Sequence, residues 1–364
     1  MAMATLATTF GTLQHSRAPS GAALRARAVG DGDVPSEIAA ALRAMDLLAP
    51  GDVPRLTPLS DSRDACVMRA DLGWGTVCVK HAATAPGTQD GSHGIERVDA
   101  EVRWLKLAQS AVPGCTPTVL GSLPSGGWLA LEYLDASEFP AWQRALASGR
   151  VEPWIAAELG HLLGRLHAAT ARSAAVAQHL TQRTAFHALR IAPAFARIAA
   201  ADPDCAPALQ RIEAELSATR IALVHGDLTP ENVLCGPRGP VLVDADCAHY
   251  GDPAVDVATL LAALWVRMAT HCRLRSEYTA CWDAFHRSYA AHVTWDMPER
   301  AGARAAALIP AFGLAAFAAA PSAGLDAASG VRPTVRAVAR NLLLAPPATL
   351  DALRDAWLDA LAGE

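Results

Sequence analysis

The segment between positions 223 and 244 constrains the fold and chemistry of this chain more than any other part of the sequence. An apolar strand ends at His225, a loop then carries Asp227, and a second short strand begins at Asn232. The turn Gly-Pro-Arg-Gly reverses the chain, and the returning strand ends at Asp244. We expect His225 to be a structural histidine hydrogen-bonded to loop backbone, because buried polar side chains need such partners.

A β-hairpin that turns at residues 237 and 238 would place Asn232 beside Asp244 at its open end, with Asp227 on the loop just before it. Amide and carboxylate oxygens are ligands that Mg²⁺ prefers, together with waters and substrate phosphates. Asp246 follows two positions after Asp244 and is a candidate further ligand. A carboxylate held slightly apart, here Asp227, can accept the proton of an attacking hydroxyl.

Further motifs follow this segment at short intervals. The full set is His-Gly-Asp at 225–227, Asn232, Val-Asp at 243–244, Tyr-Gly-Asp-Pro at 250–253 and Asp-Val-Ala at 256–258. Together they resemble the aminoglycoside phosphotransferase/choline kinase superfamily, whose members are small-molecule relatives of protein kinases. The resemblance covers roughly residues 50 to 345, and its central block is highly specific.

The resemblance implies a role for each matching residue. Asp227 would be the catalytic base, and Asn232 and Asp244 would be the Mg²⁺ ligands of an ATP-dependent kinase. Asp256 would brace the catalytic loop. The pair formed by Asp244 and Asp246 is similar to the acidic pair of methylthioribose kinases, where both acids face the metal, so Asp246 would be an additional ligand.

The order of elements predicts an α+β, bilobal, protein-kinase-like fold. Residues 36–134 would form a small nucleotide-binding lobe, and residues 135–364 a mostly helical lobe with the catalytic loop and acceptor site. In the first lobe we expect an amphipathic segment at 36–48, strands at 55–60, 65–71, 76–80, 118–121 and 128–133, and a helix at 95–110. In the second we expect helices at 153–170, 186–200 and 206–219, strands at 222–224, 233–235 and 240–243, and helices from 255 onward.

A kinase-like first lobe needs a lysine on its third strand to hold the nucleotide phosphates, and a helix glutamate to orient that lysine. Lys80 ends the apolar strand Thr-Val-Cys-Val-Lys, and Glu101 lies in the following helix, with Glu96 as the alternative. The segment Leu-Glu-Tyr-Leu resembles the hinge between the lobes. Backbone groups of Glu132 and Leu134 would bind adenine there.

The acceptor is expected to be the hydroxyl of a small molecule. Protein kinases usually carry arginine between the histidine and aspartate of this motif, where this chain has Gly226, and no Ala-Pro-Glu segment follows Asp244. The C-terminal helices would build the acceptor pocket. Arg267 and His271 stand one helical turn apart and are candidates to contact a polar acceptor. Charged residues on a solvent-exposed helix face would show the same spacing.

The phosphate-covering loop departs from the usual pattern, because residues 60–64 read Ser-Asp-Ser-Arg-Asp and contain no glycine. Glycines usually let backbone N–H groups approach phosphate closely. The rival hypothesis is therefore that the chain is a kinase-like, nucleotide-binding regulatory protein that is catalytically weak or inactive. A metal-dependent hydrolase is a weaker alternative, since no histidine pair has convincing ligand spacing.

Composition excludes several other classes. Lys and Arg number 31 against 36 Asp and Glu, for a net charge of −5, which argues against a nucleic-acid binder. Eight cysteines without a Cys-x-x-Cys pair indicate a reducing compartment rather than a disulfide framework. The uncharged segment 305–325 would satisfy a hydropathy window, but Pro310 and Pro321 interrupt it. We therefore expect a buried helix pair and no membrane span.

The N-terminal segment 1–35 is expected to be a disordered or targeting-like extension. Residues 1–30 contain no acidic residue, recurrent Ser and Thr, and three arginines, which is the composition of an organellar transit peptide. Alanine-rich disordered extensions imitate that composition. The expected location is therefore the cytoplasm, with plastid or mitochondrion as the alternative if this segment is a transit peptide.

Overall fold

The computed structural model describes residues 34–60, 65–82, 92–181, 184–319 and 333–362. The predicted N-terminal extension lies outside the described residues up to position 33. The glycine-free loop lies outside them as well, apart from Ser60. Both expectations therefore stay predictions.

In its described residues, the first lobe contains five strands and two α-helices. They are α1 (Val34–Ala44), β1 (Arg55–Ser60), β2 (Ala65–Leu72), β3 (Gly75–Ala82), α2 (Ser92–Ala111), β4 (Val119–Leu123) and β5 (Trp128–Glu132). The strands form an antiparallel sheet in the order β1-β2-β3-β5-β4. Helix α1 covers one part of this sheet because its buried residues Ile38 and Leu42 pack in a cluster with Val77 and Val79. The predicted strands and the helix are confirmed, and β3 continues two residues beyond Lys80.

The second lobe is mostly helical. Its elements are α3 (Trp142–Ala147), α4 (Pro153–Thr170), α5 (Ala174–Ala177), α6 (Thr184–Phe186), α7 (Ala192–Ala201), α8 (Ala206–Ala218), β6 (Ala222–Val224), β7 (Val233–Gly236), β8 (Gly239–Leu242), β9 (His249–Gly251), α9 (Ala254–Thr270), α10 (Arg275–Ala290), α11 (Pro298–Ala319), α12 (Pro333–Leu344) and α13 (Leu350–Ala362). The expected α+β fold, with a strand-rich first lobe and a helical second lobe, is confirmed.

The hairpin β7–β8 has the predicted register. Val233 pairs with Leu242 and Gly236 with Gly239, so the turn lies at residues 237 and 238. One step further, the N–H of Val243 donates to the carbonyl oxygen of Asn232 at 3.1 Å. The sequence did not indicate that β6 pairs with β9, a strand of three residues that follows the hairpin.

Two helical segments differ from the predictions. Helix α11 runs through Pro310 without ending, so the expected break at that proline is wrong. The second half of the expected helix pair, with Pro321, lies outside the described residues. The predicted helix at 186–200 exists, but His187–Ile191 forms a π-helical turn between α6 and α7. Such turns often occur at functional sites, because they redirect side chains within a helix.

Helix α11 is long and apolar enough between Pro298 and Ala318 to cross a membrane, by length and composition. Of its most apolar window, 61% is buried inside the protein. Core helices of soluble proteins have the same property, because a buried helix is apolar on most of its surface. The expectation that the chain has no membrane span stays a prediction.

Candidate active site

The lysine of β3 lies between two carboxylates. Lys80 Nζ donates to Glu101 Oε2 at 2.7 Å and also contacts Asp244 Oδ1. Lys80 and Glu101 are buried, whereas the Asp244 side chain is 47% exposed. Glu96, the alternative partner, is exposed on the same helix. The structure thus brings together a strand lysine, a helix glutamate and the aspartate that follows the hairpin.

The electrostatic environment keeps the lysine charged. Burial lowers the pKa of Lys80, but the neighbouring carboxylates of Asp244 and Glu101 outweigh it and raise that pKa above its ordinary value. A permanently charged ammonium between carboxylates is suited to hold phosphate oxygens, because it can exchange a carboxylate contact for a phosphate contact.

The candidate base, Asp227, is buried on the loop between β6 and β7. Asn232 Nδ2 donates to the backbone carbonyl oxygen of Asp227 at 2.8 Å and to the side-chain Oδ2 of Asp227 at 3.1 Å. On the other side, Arg190 Nη2 lies 2.6 Å from Oδ2. Burial raises the pKa of Asp227 to about 7, while Arg190 and the Asn232 hydrogen bond act in the opposite direction. A carboxyl with such a pKa can accept a proton near neutral pH.

Asp256, at the start of α9, holds the loop in place. Its Oδ2 accepts the backbone N–H of His225 at 2.8 Å, and its Oδ1 accepts that of Gly226 at 2.9 Å. His167 Nε2 lies 3.3 Å from the same carboxylate. Although burial raises the pKa of Asp256, these contacts, with His167 foremost, hold it below the usual range. The carboxylate therefore satisfies two loop N–H groups that would otherwise be buried without partners.

His225 has no exposed surface and is held by backbone on both sides. Asp227 N donates to its Nδ1 at 3.3 Å, which leaves Nε2 to donate to the carbonyl of Val243 at 3.0 Å. Burial lowers the pKa of His225. These contacts join the loop to the end of the hairpin, as a structural histidine would.

Gly226 occupies a position that only glycine fits. Its φ is +83°, and a Cβ there would lie 2.3 Å from the carbonyl oxygen of Cys247. Both the left-handed backbone and the close approach exclude a side chain. The arginine that protein kinases usually carry at this position therefore has no space in this loop.

Asp244 and Asn232 are the residues that fit a divalent metal. Asp244 has a left-handed backbone with φ of 63°, a conformation that is uncommon outside glycine and frequent at functional sites. Its half-exposed carboxylate and the Asn232 amide oxygen are hard donors suited to Mg²⁺. Among the described residues no group of three His, Cys, Asp or Glu side chains could hold a metal by itself. A metal here would need phosphate oxygens as further ligands.

Asp246, the third predicted ligand, is buried and paired with an arginine that the sequence did not suggest. Arg97 donates to Asp246 Oδ2 through Nε at 3.1 Å and through Nη2. Asp246 Oδ1 is buried without a hydrogen-bond partner among the described residues. Burial opposes ionisation, yet Arg97 and Lys80 hold the pKa of Asp246 well below its usual range. One oxygen thus serves an ion pair, and the other is left for a ligand.

The segment predicted to bind adenine follows β5. The Glu132 N–H donates to the carbonyl of Thr118 at 2.9 Å, and the Glu132 carboxylate accepts from the Thr118 N–H at 3.1 Å. Leu134 is half-buried just beyond the strand, and its N–H has no backbone partner in the described part of the chain. The Leu134 amide is therefore open to a ligand, and adenine binding by Glu132 and Leu134 stays a prediction.

A pocket that is partly open to solvent lies beside Asp227. Arg190, Thr229 and several apolar side chains of α7, α9 and α11 line it. Neither Arg267 nor His271 is among its lining residues, so the structure does not bring these acceptor candidates to the base. Arg267 is buried against Gln143 and the Ala263 carbonyl, and His271 is exposed next to Thr270.

The family model of the phosphotransferase enzyme family, APH, matches residues 57–301. The chain belongs to this family. The match includes the strand lysine, the loop with the candidate base and the helix that follows the hairpin. No curated protein matches the chain.

Solved structures with the same fold include kinases of small molecules. A choline/ethanolamine kinase family protein from Mesorhizobium loti has a TM-score of 0.52 at 18% identity, covering 90% of this chain and 99% of that one. An amicoumacin kinase in complex with AMP-PNP, Ca²⁺ and Ami has a TM-score of 0.51 at 17% identity, covering 83% and 91%. An ethanolamine kinase from Plasmodium vivax has a TM-score of 0.50 at 11% identity, covering 94% and 96%. At these identities the likeness shows the protein-kinase-like fold.

Three residues of the candidate site were not predicted from the sequence. Arg97 had a usable signal, because it lies one helical turn before Glu101 and so shares its face of α2. His167 and Thr170 are the two polar residues among the buried residues of α4, and a buried histidine is itself a sign of a specific partner. Arg190 had no local signal, since only the π-helical turn and the packing of α7 bring it to Asp227.

Proposed function

We propose that this phosphotransferase is an ATP- and Mg²⁺-dependent kinase that transfers the γ-phosphoryl group to the hydroxyl of a small molecule. The observation that carries the proposal is the contact of Lys80 with Glu101 and Asp244, together with the position of Asp227 in the lining of a pocket. Nucleotide and acceptor would meet between Lys80 and Asp227.

The residues of this chain supply positioning and charge. Asp227 would orient the acceptor hydroxyl and take its proton, as its raised pKa and its place in the pocket allow. Lys80 would neutralise the phosphates of the nucleotide, and Glu101 would keep the lysine directed at them. Mg²⁺, when bound by Asn232 and Asp244, would supply charge neutralisation on the phosphates. Catalysis of phosphoryl transfer depends mainly on positioning and charge stabilisation and needs little covalent chemistry from the protein. The contacts described here are of those two kinds.

The experiment is the Asp227→Asn variant, assayed for ADP formation and for nucleotide binding. The variant keeps the shape of the side chain but cannot accept the proton, so turnover should fall by about 10²- to 10⁴-fold. Thermal-shift titration with Mg·ATP should give nearly the same midpoint shift as the unaltered protein, because the nucleotide contacts lie elsewhere. Full activity in the variant would remove Asp227 from the mechanism.

The rival candidate is an inactive nucleotide-binding protein, which is favoured by the glycine-free segment at 60–64. The same titration separates the two. A ligand at about 100 times its Kd stabilises a protein by about 2.7 kcal/mol. Stabilisation by Mg·ATP without ADP formation over a wide acceptor panel would favour the rival, and an unshifted midpoint at millimolar ATP would exclude both.

A further inference from the structure

The walls of the pocket beside Asp227 are apolar on three sides. Phe186 and Ala194 form one wall, Ala262 and Ala263 of α9 a second, and the α11 residues around Phe312 a third. Alanines dominate these walls, so the space is left open by small side chains rather than by polar ones. Such a surface gains free energy when an apolar body covers it.

The charged groups of the lining neutralise each other. Within the described residues the pocket contains one acid and one base, Asp227 and Arg190, and their side chains lie 2.6 Å apart. Glu231 is close enough to Asp227 for their charges to interact, but it does not line the pocket, and burial and Asp227 raise its pKa to about 8. The lining itself therefore has no second carboxylate to pair with a positively charged acceptor. An ammonium group would have to be desolvated in this pocket beside an arginine, which is costly.

Three polar atoms on two side chains of the lining have no nitrogen or oxygen partner among the described residues. Thr229 Oγ1 is buried with no hydrogen-bond partner among the described residues. Arg190 Nε and Nη1 are also buried and have no oxygen acceptor in the described part of the chain, although the Cys247 thiol is within hydrogen-bonding reach of this guanidinium. Buried donors are normally satisfied, so these atoms point to a ligand that supplies an acceptor oxygen.

We propose that the acceptor substrate is an alcohol with a mainly apolar body, no ammonium group, and a carbonyl or carboxylate oxygen close to the reacting hydroxyl. This inference rests on the proposed kinase function. The acceptor oxygen would receive hydrogen bonds from Thr229 and Arg190, while the hydroxyl faces Asp227. In the transfer, the hydroxyl oxygen forms a bond to the γ-phosphorus, the bond between that phosphorus and the bridging oxygen breaks, ADP leaves, and the hydroxyl proton passes to Asp227.

The test uses three alcohols that share one skeleton: phenyllactate, its methyl ester, and phenylalaninol. The first two carry the acceptor oxygen without positive charge. The third has no carbonyl oxygen and carries an ammonium on the carbon next to its hydroxyl carbon. Binding to the full chain is measured by calorimetry with Mg·AMP-PNP present, so that it is recorded whether or not transfer occurs. We expect phenyllactate or its ester to bind at least about tenfold more tightly than phenylalaninol, a difference of about 1.4 kcal/mol.

Equal or tighter binding of phenylalaninol would overturn the inference, and so would the absence of binding by all three compounds at millimolar concentration. ADP formation with Mg·ATP is recorded in parallel. Transfer to cationic alcohols alone would refute the substrate class and leave the kinase function intact. Selective binding without any transfer would support the pocket chemistry and count against the kinase function.

The Thr229→Val variant probes the acceptor oxygen directly. Valine has the shape of threonine but no hydroxyl, so affinity for the methyl ester should fall by about tenfold while that for phenylalaninol stays the same. Thr279→Val is the matched control, because that hydroxyl is already bonded to the Arg275 carbonyl at 2.8 Å on α10. An unchanged preference in Thr229→Val would contradict the proposed contact.

Discussion

Arg190 Nη2 lies 2.6 Å from Asp227 Oδ2, and the two side chains are 11% and 8% exposed. This contact joins the π-helical turn before α7 to the loop that carries the candidate base. Burial raises the pKa of Asp227 to about 7, and Arg190 acts against that rise. The arginine therefore sets how far the base is ionised at neutral pH.

Replacing Arg190 with glutamine should move the pH dependence of catalysis. Without the guanidinium, the pKa of Asp227 rises further, and the base is ionised only at higher pH. The acidic limb of kcat/KM should shift upward by about one pH unit, since one unit corresponds to about 1.4 kcal/mol of lost charge stabilisation. The measurement is kcat/KM from about pH 6 to about pH 9.

Arg340→Gln is the control for that experiment. Arg340 is paired with Asp202 and Asp204, away from the pocket, so its loss should leave the acidic limb in place. If the acidic limb of the kcat/KM profile stays in place in the Arg190→Gln variant, or moves to lower pH, the arginine does not control the ionisation of Asp227.

Gly226→Ala should disrupt the loop although it adds only one methyl group. The new Cβ would lie 2.3 Å from the Cys247 carbonyl oxygen, and alanine disfavours the φ of +83°. We expect a loss of unfolding free energy of about 2 kcal/mol or more, because overpacking and an unfavourable backbone conformation add. Urea denaturation measures that loss.

Gly302→Ala provides the matched comparison. Gly302 lies in α11, where an added Cβ meets nothing within 4 Å and helix propensity favours alanine. That variant should be unchanged or more stable by up to about 1 kcal/mol. Equal behaviour of the two variants would mean that the loop around Gly226 relaxes freely.

The sequence was sufficient to predict contacts that depend on short segments. Asn232 lies opposite Val243, next to Asp244, because a two-residue turn determines the register of the hairpin, and that turn is visible as Gly-Pro-Arg-Gly. Lys80 and Glu101 are further apart along the chain. The helix with Glu101 follows the strand with Lys80 and precedes a pair of strands, and this order of elements already limits where the helix can pack. Asp256 was placed through the family resemblance, whereas His225 was expected to be structural because a buried histidine needs hydrogen-bond partners.

Contacts between distant segments were not predictable in the same way. Arg190 reaches Asp227 only because a π-helical turn redirects its side chain, and no local pattern marks such a turn. Arg267 and His271 were placed at the acceptor pocket from their helical spacing alone, which does not say which face of α9 borders the pocket. Pro310 was expected to end a helix, but tertiary packing of α11 compensates for the lost hydrogen bond.

Asp256→Asn should destabilise the protein, and the effect should depend on pH. The carboxylate accepts two loop N–H groups, and an amide can present only one oxygen to them. The unfolding free energy should fall by about 2 to 4 kcal/mol near neutral pH. Because contacts lower the folded pKa of Asp256 below 3.8, its contribution is present above pH 3.8 and is lost as the pH falls below it.

Denaturation at about pH 6 and about pH 3.5 checks this expectation, since the gap between variant and unaltered protein should narrow at the lower pH. Asp204→Asn, at an aspartate whose side chain is 79% exposed, should leave the midpoint unchanged at both. A gap of constant size would mean that Asp256 does not gain its stabilising effect from being ionised.

The ion pair between Arg97 and Asp246 should behave as one unit in a double-mutant cycle. Removing either partner leaves the other charge buried, which costs about 3 to 5 kcal/mol, whereas removing both leaves no unpaired charge. Arg97→Met and Asp246→Asn should each lower the unfolding free energy, and the double variant should lose clearly less than their sum. Additive losses would show that the two side chains are not coupled.

The same variants separate the ion pair from metal binding. Asp246 Oδ1 is buried without a partner among the described residues, so this oxygen is the one that could face a cation. If Asp246 is also a ligand, Asp246→Asn should raise the Mg²⁺ concentration for half-maximal activity by about tenfold or more, while Arg97→Met should change it little. Equal shifts in the two variants would mean that Asp246 acts only by anchoring Arg97, and that Mg²⁺ is held without it.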